Sequence, residues 1–396
     1  MKVFALTFAL GVATGLVQLF GFGTNWARYS RFVGDVFGSA LGAEGIFAFF
    51  LESGFLGLVL FGWNRVSERM HYFSTIMVSL GAHFSALWIV IANSWMQTPT
   101  GYKIVGQGTQ ARAVVTDFWA MIFNPSSMDR VTHVILGCWL AGIFLVLSVS
   151  AYYYLKGKHL PFAKACMKIS LWVALGVLLL QLSSGDDTAQ GVGKNQPAKL
   201  AAMEGVFKTQ ARAPLTLFGW VDTKNQTVHG VQIPGLLSYL TFRNIDTPVQ
   251  GLDQVPKEDW PKVQAVFQTY HTMVAMWVLM FVLTCVALTL WRKKRLEKAR
   301  WVLKGLVVSV AFPMIANEVG WVTAEMGRQP WVVYGLLRTV DGVSKSINAA
   351  QVMTSIVMFL VIYVFLFALF MFLLDKKIKE GPEPHEEGAS VYRDQL

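Results

Sequence analysis

The chain has 396 residues, 54% of them apolar and only 15% charged, with a net charge of +10 at pH 7. That balance excludes an ordinary soluble domain and points to a polytopic membrane protein. The basic residues cluster beside apolar runs, which argues for cytoplasmic anchoring and against a nucleic-acid partner.

Eight apolar runs reach or approach the roughly 20 residues that a bilayer requires. They lie near 3–20, 39–62, 73–95, 132–155, 168–184, 267–291, 303–322 and 352–374. The first continues directly into the protein, so no cleavable signal peptide is expected. Arg65 and Arg69 follow the second run, and Lys156, Lys158, Lys164 and Lys168 the fourth. Arg292, Lys293, Lys294, Arg295, Lys298 and Arg300 follow the sixth, and Lys376, Lys377 and Lys379 the eighth. The even-numbered connections and both ends are therefore expected in the cytoplasm, and the odd-numbered connections outside. The expected fold is an all-α membrane bundle of about eight helices with one long outer loop. Residues 1–184 form an N-terminal helical region, 185–266 the outer loop, 267–380 a C-terminal helical region, and 381–396 a polar cytoplasmic tail. Cys138, Cys166 and Cys285 are far apart and form no CxxC or CxxCH pattern, so iron–sulfur clusters and covalently attached haem are not expected.

Ionisable residues inside spans are costly and mark ion paths, ligand sites or structural pairs. Glu44 falls near the outer end of the second run and Glu52 two turns deeper, about 80° apart around the axis and about 12 Å along it. His133 opens the fourth run and Met273 the sixth. The stretch NEVGWVTAEMGRQPW, 317–331, ends the seventh with Glu318 and Glu325 close to two turns apart, hence on one face. Gly327 offers a left-handed cap and Pro330 a stop. A bland alternative for this stretch is an interfacial Glu–Arg pair beside an aromatic anchor. One histidine and one methionine on different helices at matching depth suit a six-coordinate haem iron. Against that stand an interfacial hydrogen-bonding role for His133, a packing role for Met273, and His83 as a competing ligand.

Six segments resemble subunit I of cytochrome bd-type quinol oxidases: FALGVATG (8–15), FGTNWARYSRFVGD (22–35), EGIFAFFLES (44–53), SALWIVIANSWMQ (85–97), QPAKLAAMEG (196–205) and GRQPW (327–331). They occur in the family's order over nearly the whole chain. The resemblance implies an enzyme of a bacterial or archaeal cell membrane, with the long loop on the outer side. It takes electrons from membrane quinol and reduces dioxygen to water, building potential without pumping protons. It implies His133 and Met273 as axial ligands of a low-spin haem b and Glu325 as ligand of a high-spin haem b. Glu44 would stand at the remaining haem, a haem d or a third haem b, and Glu52 would serve proton delivery or haem charge compensation. Trp321 matches an aromatic between the haems, Arg328 a haem-contacting arginine, and Lys199 and Glu204 residues of quinol oxidation. Without the resemblance, Lys199 and Glu204 read as a solvated pair on a loop helix. Asp186 and Asp187, just past the fifth run, belong either to the quinol region or to a solvated helix end. The implied partners are a second large transmembrane subunit and a small single-helix subunit.

Three departures stand out. The family's first helix, which carries a haem-ligating histidine, precedes the segment matched by 3–20, so a chain starting at Met1 is expected to lack it. His271 stands where family members often carry arginine, as a neighbour able to tune the haem or as a rival ligand. The loop runs quickly from Pro248–Leu252 through GLDQVPKEDW to the sixth run, which resembles the family's short-loop branch. Two other classes make different demands on the sequence. An ion-coupled transporter predicts inverted repeats, which the halves do not show, and a scaffold subunit needs neither the His133/Met273 pair nor Glu325.

Overall fold

A computed structural model of the chain describes residues 2–382. The expected tail lies, from residue 383 onward, outside the described residues. In chain order the elements are α1 (Lys2–Asn25), α2 (Ala27–Glu44), a π-helical turn (Gly45–Phe49), α3 (Phe50–Phe61) and α4 (Glu68–Gln97). Strands β1 (Tyr102–Val105) and β2 (Arg112–Val115) follow, then α5 (Phe118–Ile122), α6 (Ser127–Lys156), α7 (Leu160–Asn195) and α8 (Pro197–Glu204). Next come β3 (Leu215–Asp222), β4 (Thr227–Ile233), α9 (Leu236–Phe242), α10 (Val263–Arg292), α11 (Arg300–Val308) and α12 (Ala311–Met326). The last are β5 (Trp331–Val333), β6 (Leu337–Arg338), α13 (Thr339–Gly342) and α14 (Ala349–Glu380). Among the described residues, eight helical segments are long and apolar enough to cross a membrane, as the hydropathy pattern predicts. The strands form three antiparallel two-stranded hairpins between helices.

The chain divides into two compact units. One takes in the chain up to Ser127 and again Trp331–Gly381; the other holds Met128–Pro330. In the first, α4 packs against both α2 and α3, and α1 runs along α14. Ser67 caps α4 by accepting from Met70 N at 3.3 Å, and Asn348 with Gln351 forms a reciprocal capping box at the start of α14. No residue of α14 is buried.

The second unit is held by stripes at helical spacing. Leu136, Leu140, Phe144 and Leu147 of α6 meet Met167, Leu171, Ala174 and Leu178 of α7, with Met280 of α10 and Leu303 and Leu306 of α11. In lipid such contacts act by dispersion and close fit, since the surrounding tails are equally apolar. Polar contacts add to them: Thr323 Oγ1 of α12 donates to Thr269 Oγ1 of α10 at 2.8 Å, and Ser148 Oγ of α6 to Val307 O at 2.7 Å.

Several boundaries correct the hydropathy reading. The second span begins at Ala27, well before residue 39, because polar residues on its first turns are held by the β1–β2 hairpin. Asp35 accepts from Val115 N at 2.7 Å, and Arg31 donates to Gln110 at 3.0 Å. Glu44 consequently lies well inside a continuous helical run instead of near its end. The fifth span continues to Asn195, so Asp186 and Asp187 sit within a helix and not past one. Glycine lets this polar extension pack: a Cβ on Gly193 would lie 2.5 Å from Thr241 of α9. The sixth helix starts at Val263, which puts Met273 well inside it.

Candidate functional site

In the second unit, α8 carries the two loop residues singled out by the sequence. Pro197 starts the helix, where its missing N–H is no loss, and Gly205 ends it at φ +70°. Against α7 and α10 this short helix buries Leu200, Ala201, Ala202 and Met203. It also buries Lys199, 4% exposed, and Glu204, 3% exposed. The solvated-pair reading is thereby excluded.

Lys199 Nζ donates to Gln196 Oε1 at 2.6 Å. Its charged neighbours are Arg130 of α6, Arg328 and Glu325. Burial, then the two arginines, pull its pKa well below the usual lysine value, with Glu325 opposing. Arg328, 2% exposed, makes a two-pronged ion pair with Glu325. Three basic side chains therefore gather around one carboxylate. Gly327 explains the tight fit. It adopts φ −70°, so it is not the left-handed cap expected; its role is close approach, because a Cβ there would lie 2.7 Å from Lys199 Cγ. The bland Glu–Arg pair is present, but as part of this buried cluster. Glu318 on the same helix is exposed, and Trp321 is 44% exposed.

The Tyr270 side chain and the backbone of Thr216 in β3 are polar neighbours of Glu204 that favour its ionised form. Its Oε2 is buried and has no hydrogen-bond partner among the described residues. Burial pushes its pKa up to about 8 against the pull of those two polar neighbours. Asp186 is ion-paired to Arg243 and accepts from Gln190 Nε2 at 3.0 Å, which makes it a structural group of the α7 extension.

His133 of α6 faces α7. Ser184 Oγ lies 3.3 Å from its Nδ1, and Gln181 Nε2 lies 3.2 Å from Nδ1 and 3.1 Å from Nε2. Met273 of α10 faces Gly320 of α12, where a Cβ would stand 2.8 Å from the sulfur. Two contacts bring the levels together. Trp277, a turn from Met273, donates to Leu178 O at 3.1 Å, and Leu178 is a turn from Gln181. Asn317, a turn from Gly320, donates to Gly137 O at 3.3 Å, and Gly137 is a turn from His133. Imidazole nitrogen and thioether sulfur, neither tied to a backbone carbonyl, form a donor set that fits haem iron. His271 does not: its Nδ1 meets Phe267 O and its Nε2 meets Thr216 O, both at 2.8 Å. His83 has its Nδ1 on Ser79 O at 2.7 Å.

In the first unit, Ser85 Oγ of α4 donates to Glu44 Oε1 at 2.9 Å. Gly81 of the same helix lets the backbone of Glu52 come close, since a Cβ there would stand 2.9 Å from Glu52 N. The π-helical turn between the two acids changes their relation. It holds one residue more than an α turn, so eight residues wind about as far as seven, and the acids come within about 20° of one face.

The sequence reading missed Arg130, Gln181 and Tyr270. Arg130 had a signal, standing three residues before His133 on the same face; Tyr270 and Gln181 had none.

The chain matches the family model for cytochrome bd terminal oxidase subunit I over residues 1–382. It is 39% identical to cytochrome bd ubiquinol oxidase subunit 1 of Bacillus subtilis (strain 168), over 96% of this chain and 83% of that protein. It is 31% identical to cytochrome bd-II ubiquinol oxidase subunit 1 of Escherichia coli (strain K12), over 96% of this chain and 87% of that one. Its fold is similar to the structure of bd oxidase from Geobacillus thermodenitrificans, with a TM-score of 0.88 and 29% identity over 96% of this chain and 87% of that one. With its eight spans and a family match over nearly its full length, the chain is an integral membrane protein that belongs to the cytochrome bd terminal oxidase subunit I family.

Proposed function

We propose that the chain is the haem-bearing subunit of a quinol oxidase that takes electrons and protons from membrane quinol and reduces dioxygen to water. The observation that carries this reading is Glu204, a buried carboxylate with one oxygen unpartnered and a pKa of about 8. A quinol gives up two protons with its two electrons, and a carboxylate poised near working pH accepts one efficiently. Lys199, five residues earlier on α8, would serve as a donor to the quinol oxygen.

His133 and Met273 would hold a low-spin haem b, and Glu325 a high-spin haem b. A carboxylate has lone pairs beyond those that a two-pronged arginine uses, so its pairing with Arg328 is compatible with ligation. The excess of Arg130, Lys199 and Arg328 over Glu325 suits the carboxylate groups of porphyrin. Bound haem supplies one-electron transfer and, at an open iron position, oxygen binding. Glu44 would stand at a third haem, of d or b type, with Trp321 as an aromatic between haems. Glu52 would hold protons bound for water or balance haem charge. Quinol protons would leave on the outer side and those for water enter from the cytoplasm, which builds potential without pumping; the basic residues after the even-numbered spans support this orientation. A second large subunit and a single-helix subunit complete the proposed complex.

Oxygen uptake by the purified complex with decylubiquinol as donor tests the reading. Glu204 must be ionised to accept a proton, so the rate is expected to rise with pH up to about 8. Glu204→Gln should remove that limb and lower kcat by about 100-fold or more, as for loss of a general base. A Glu204→Gln protein with wild-type rate and profile would count against it.

A further inference from the structure

The hairpin β3–β4 turns the open edge of β3 to α10, and three side chains of that helix close it. Gln264 Oε1 accepts from Val221 N at 2.8 Å, Gln268 Nε2 donates to Gly219 O at 2.9 Å, and His271 Nε2 meets Thr216 O at 2.8 Å. Gln264, Gln268 and His271 recur at four- and three-residue spacing, so they share one stripe of the helix. Continued along the helix, the same stripe takes in Ala275, Val278 and Val282, all exposed on a membrane span. One end of the stripe therefore holds a strand, and the rest lies open.

The level of the hairpin follows from helix geometry. Arg292 ends α10 with a basic residue. Counting back from it the roughly 20 residues that cross the hydrocarbon puts the far boundary near Thr272. His271, and with it the Thr216 end of β3, stands at that boundary. Gln264, which holds Val221, lies about 10 Å further out along the axis. The strand thus runs from the membrane boundary into water, and its chemistry changes in the same sense. The turn at the far end, 222–227, reads DTKNQT and is wholly polar, whereas Leu217, Phe218, Val231 and Ile233 at the base are exposed and apolar.

Strand register sorts the side chains between two faces. Val221 pairs with Val228 on one face; Phe218 pairs with Val231 and Trp220 with His229 on the other. The first face packs on the end of α8, where a Cβ on Gly205 would lie 2.5 Å from Val228. The second is exposed.

We propose that the hairpin is a membrane-surface anchor: the face bearing Phe218, Trp220 and Val231, with Leu217 and Ile233 at its base, seats in the headgroup–acyl boundary of the bilayer around α10. Lipid is the occupant because the patch stands at the hydrocarbon boundary and overhangs the exposed stripe of Ala275, Val278 and Val282. Aromatic side chains favour this layer, and Trp220 brings an apolar ring with an N–H for its polar side. In water the same patch would leave large apolar side chains uncovered beside one another, which soluble surfaces rarely carry. Because the opposite face packs on Gly205, the anchor also holds the Glu204 end of α8 at the membrane boundary.

The test places a spin label at Phe218→Cys, Val231→Cys or Asn225→Cys, in a chain whose Cys138, Cys166 and Cys285 are changed to Ala. The purified complex is reconstituted in vesicles of phosphatidylcholine and phosphatidylglycerol with no quinol present. Electron paramagnetic resonance then reads collisions of the label with dissolved oxygen, which concentrates among acyl chains, and with a nickel chelate, which stays in water. The ratio of oxygen to chelate collisions is expected to be several-fold higher at Phe218 and Val231 than at Asn225. Two positions on the face guard against a variant that does not fold. Chelate collisions there as frequent as at Asn225 would put the face in water and overturn the proposal. Low collision rates with both reagents would put a protein partner or a second copy on it, and would overturn it too.

Discussion

Glu44 and Glu325 are both half-buried carboxylates on long helices, yet their surroundings handle charge in opposite ways. Glu325 is gripped by Arg328 and has Arg130 and Lys199 as further charged neighbours. Glu44 receives a single hydroxyl, from Ser85, and neither it nor Glu52 makes an ion pair among the described residues. The first arrangement fixes a negative charge and still leaves cations over, which suits the binding of anionic groups. The second supplies one hydroxyl and no cation, which leaves the Glu44 carboxyl group with acceptor positions open. The acids of the two regions are the same residue type, and they differ in the company each keeps.

The comparison is broken most directly at Glu325. Glu325→Gln removes from Arg328, 2% exposed, the carboxylate of this ion pair and leaves it beside Arg130 and Lys199. Loss of one member of a buried pair typically costs about 3–5 kcal/mol. Arg328→Gln should cost less, because it reduces the cation excess. Denaturant unfolding of both variants gives the order, and the reverse order would show that the cluster is not cation-rich in effect.

A smaller effect is expected at Gly327. Gly327→Ala drives a methyl group against the Lys199 stem, and such overpacking costs about 1–3 kcal/mol. The decylubiquinol KM should rise with it. In a Lys199→Ala background the part of the cost due to that stem should vanish; full persistence would mean that Gly327 serves only its own helix end.

The smallest change belongs to Glu44. Glu44→Gln keeps an acceptor for Ser85, so stability should change by less than about 1 kcal/mol. Oxygen reduction should nevertheless fall, since an amide does not supply the carboxylate proposed at the third haem. A large loss of stability would place a fixed charge at Glu44 and erase the contrast with Glu325.

The sequence made the eight spans legible because hydropathy over twenty residues is a strong signal that packing rarely overrides. It also picked out Lys199 and Glu204, although their burial depends on α8 lying against α10, a contact between residues far apart in the chain. The π-helical turn escaped because GIFAF reads as ordinary apolar helix, and a period of 3.6 misplaced Glu52 relative to Glu44. The α7 extension escaped because GDDTAQGVGKN has poor helix propensity, and its helical state comes from packing on α9. Gly327 was read as a cap from local rules when the constraint on it is the Lys199 side chain. Tyr270 gave no sign at all, since nothing in its neighbourhood of sequence announces a carboxylate from another helix.

The central claim, that His133 and Met273 hold one haem between them, is tested most directly by the reduced-minus-oxidised optical spectrum of purified His133→Ala and Met273→Leu proteins. The account predicts that each substitution abolishes the low-spin haem b signal or converts it to high-spin, with the remaining haem bands retained. A low-spin signal that survives both substitutions would contradict it.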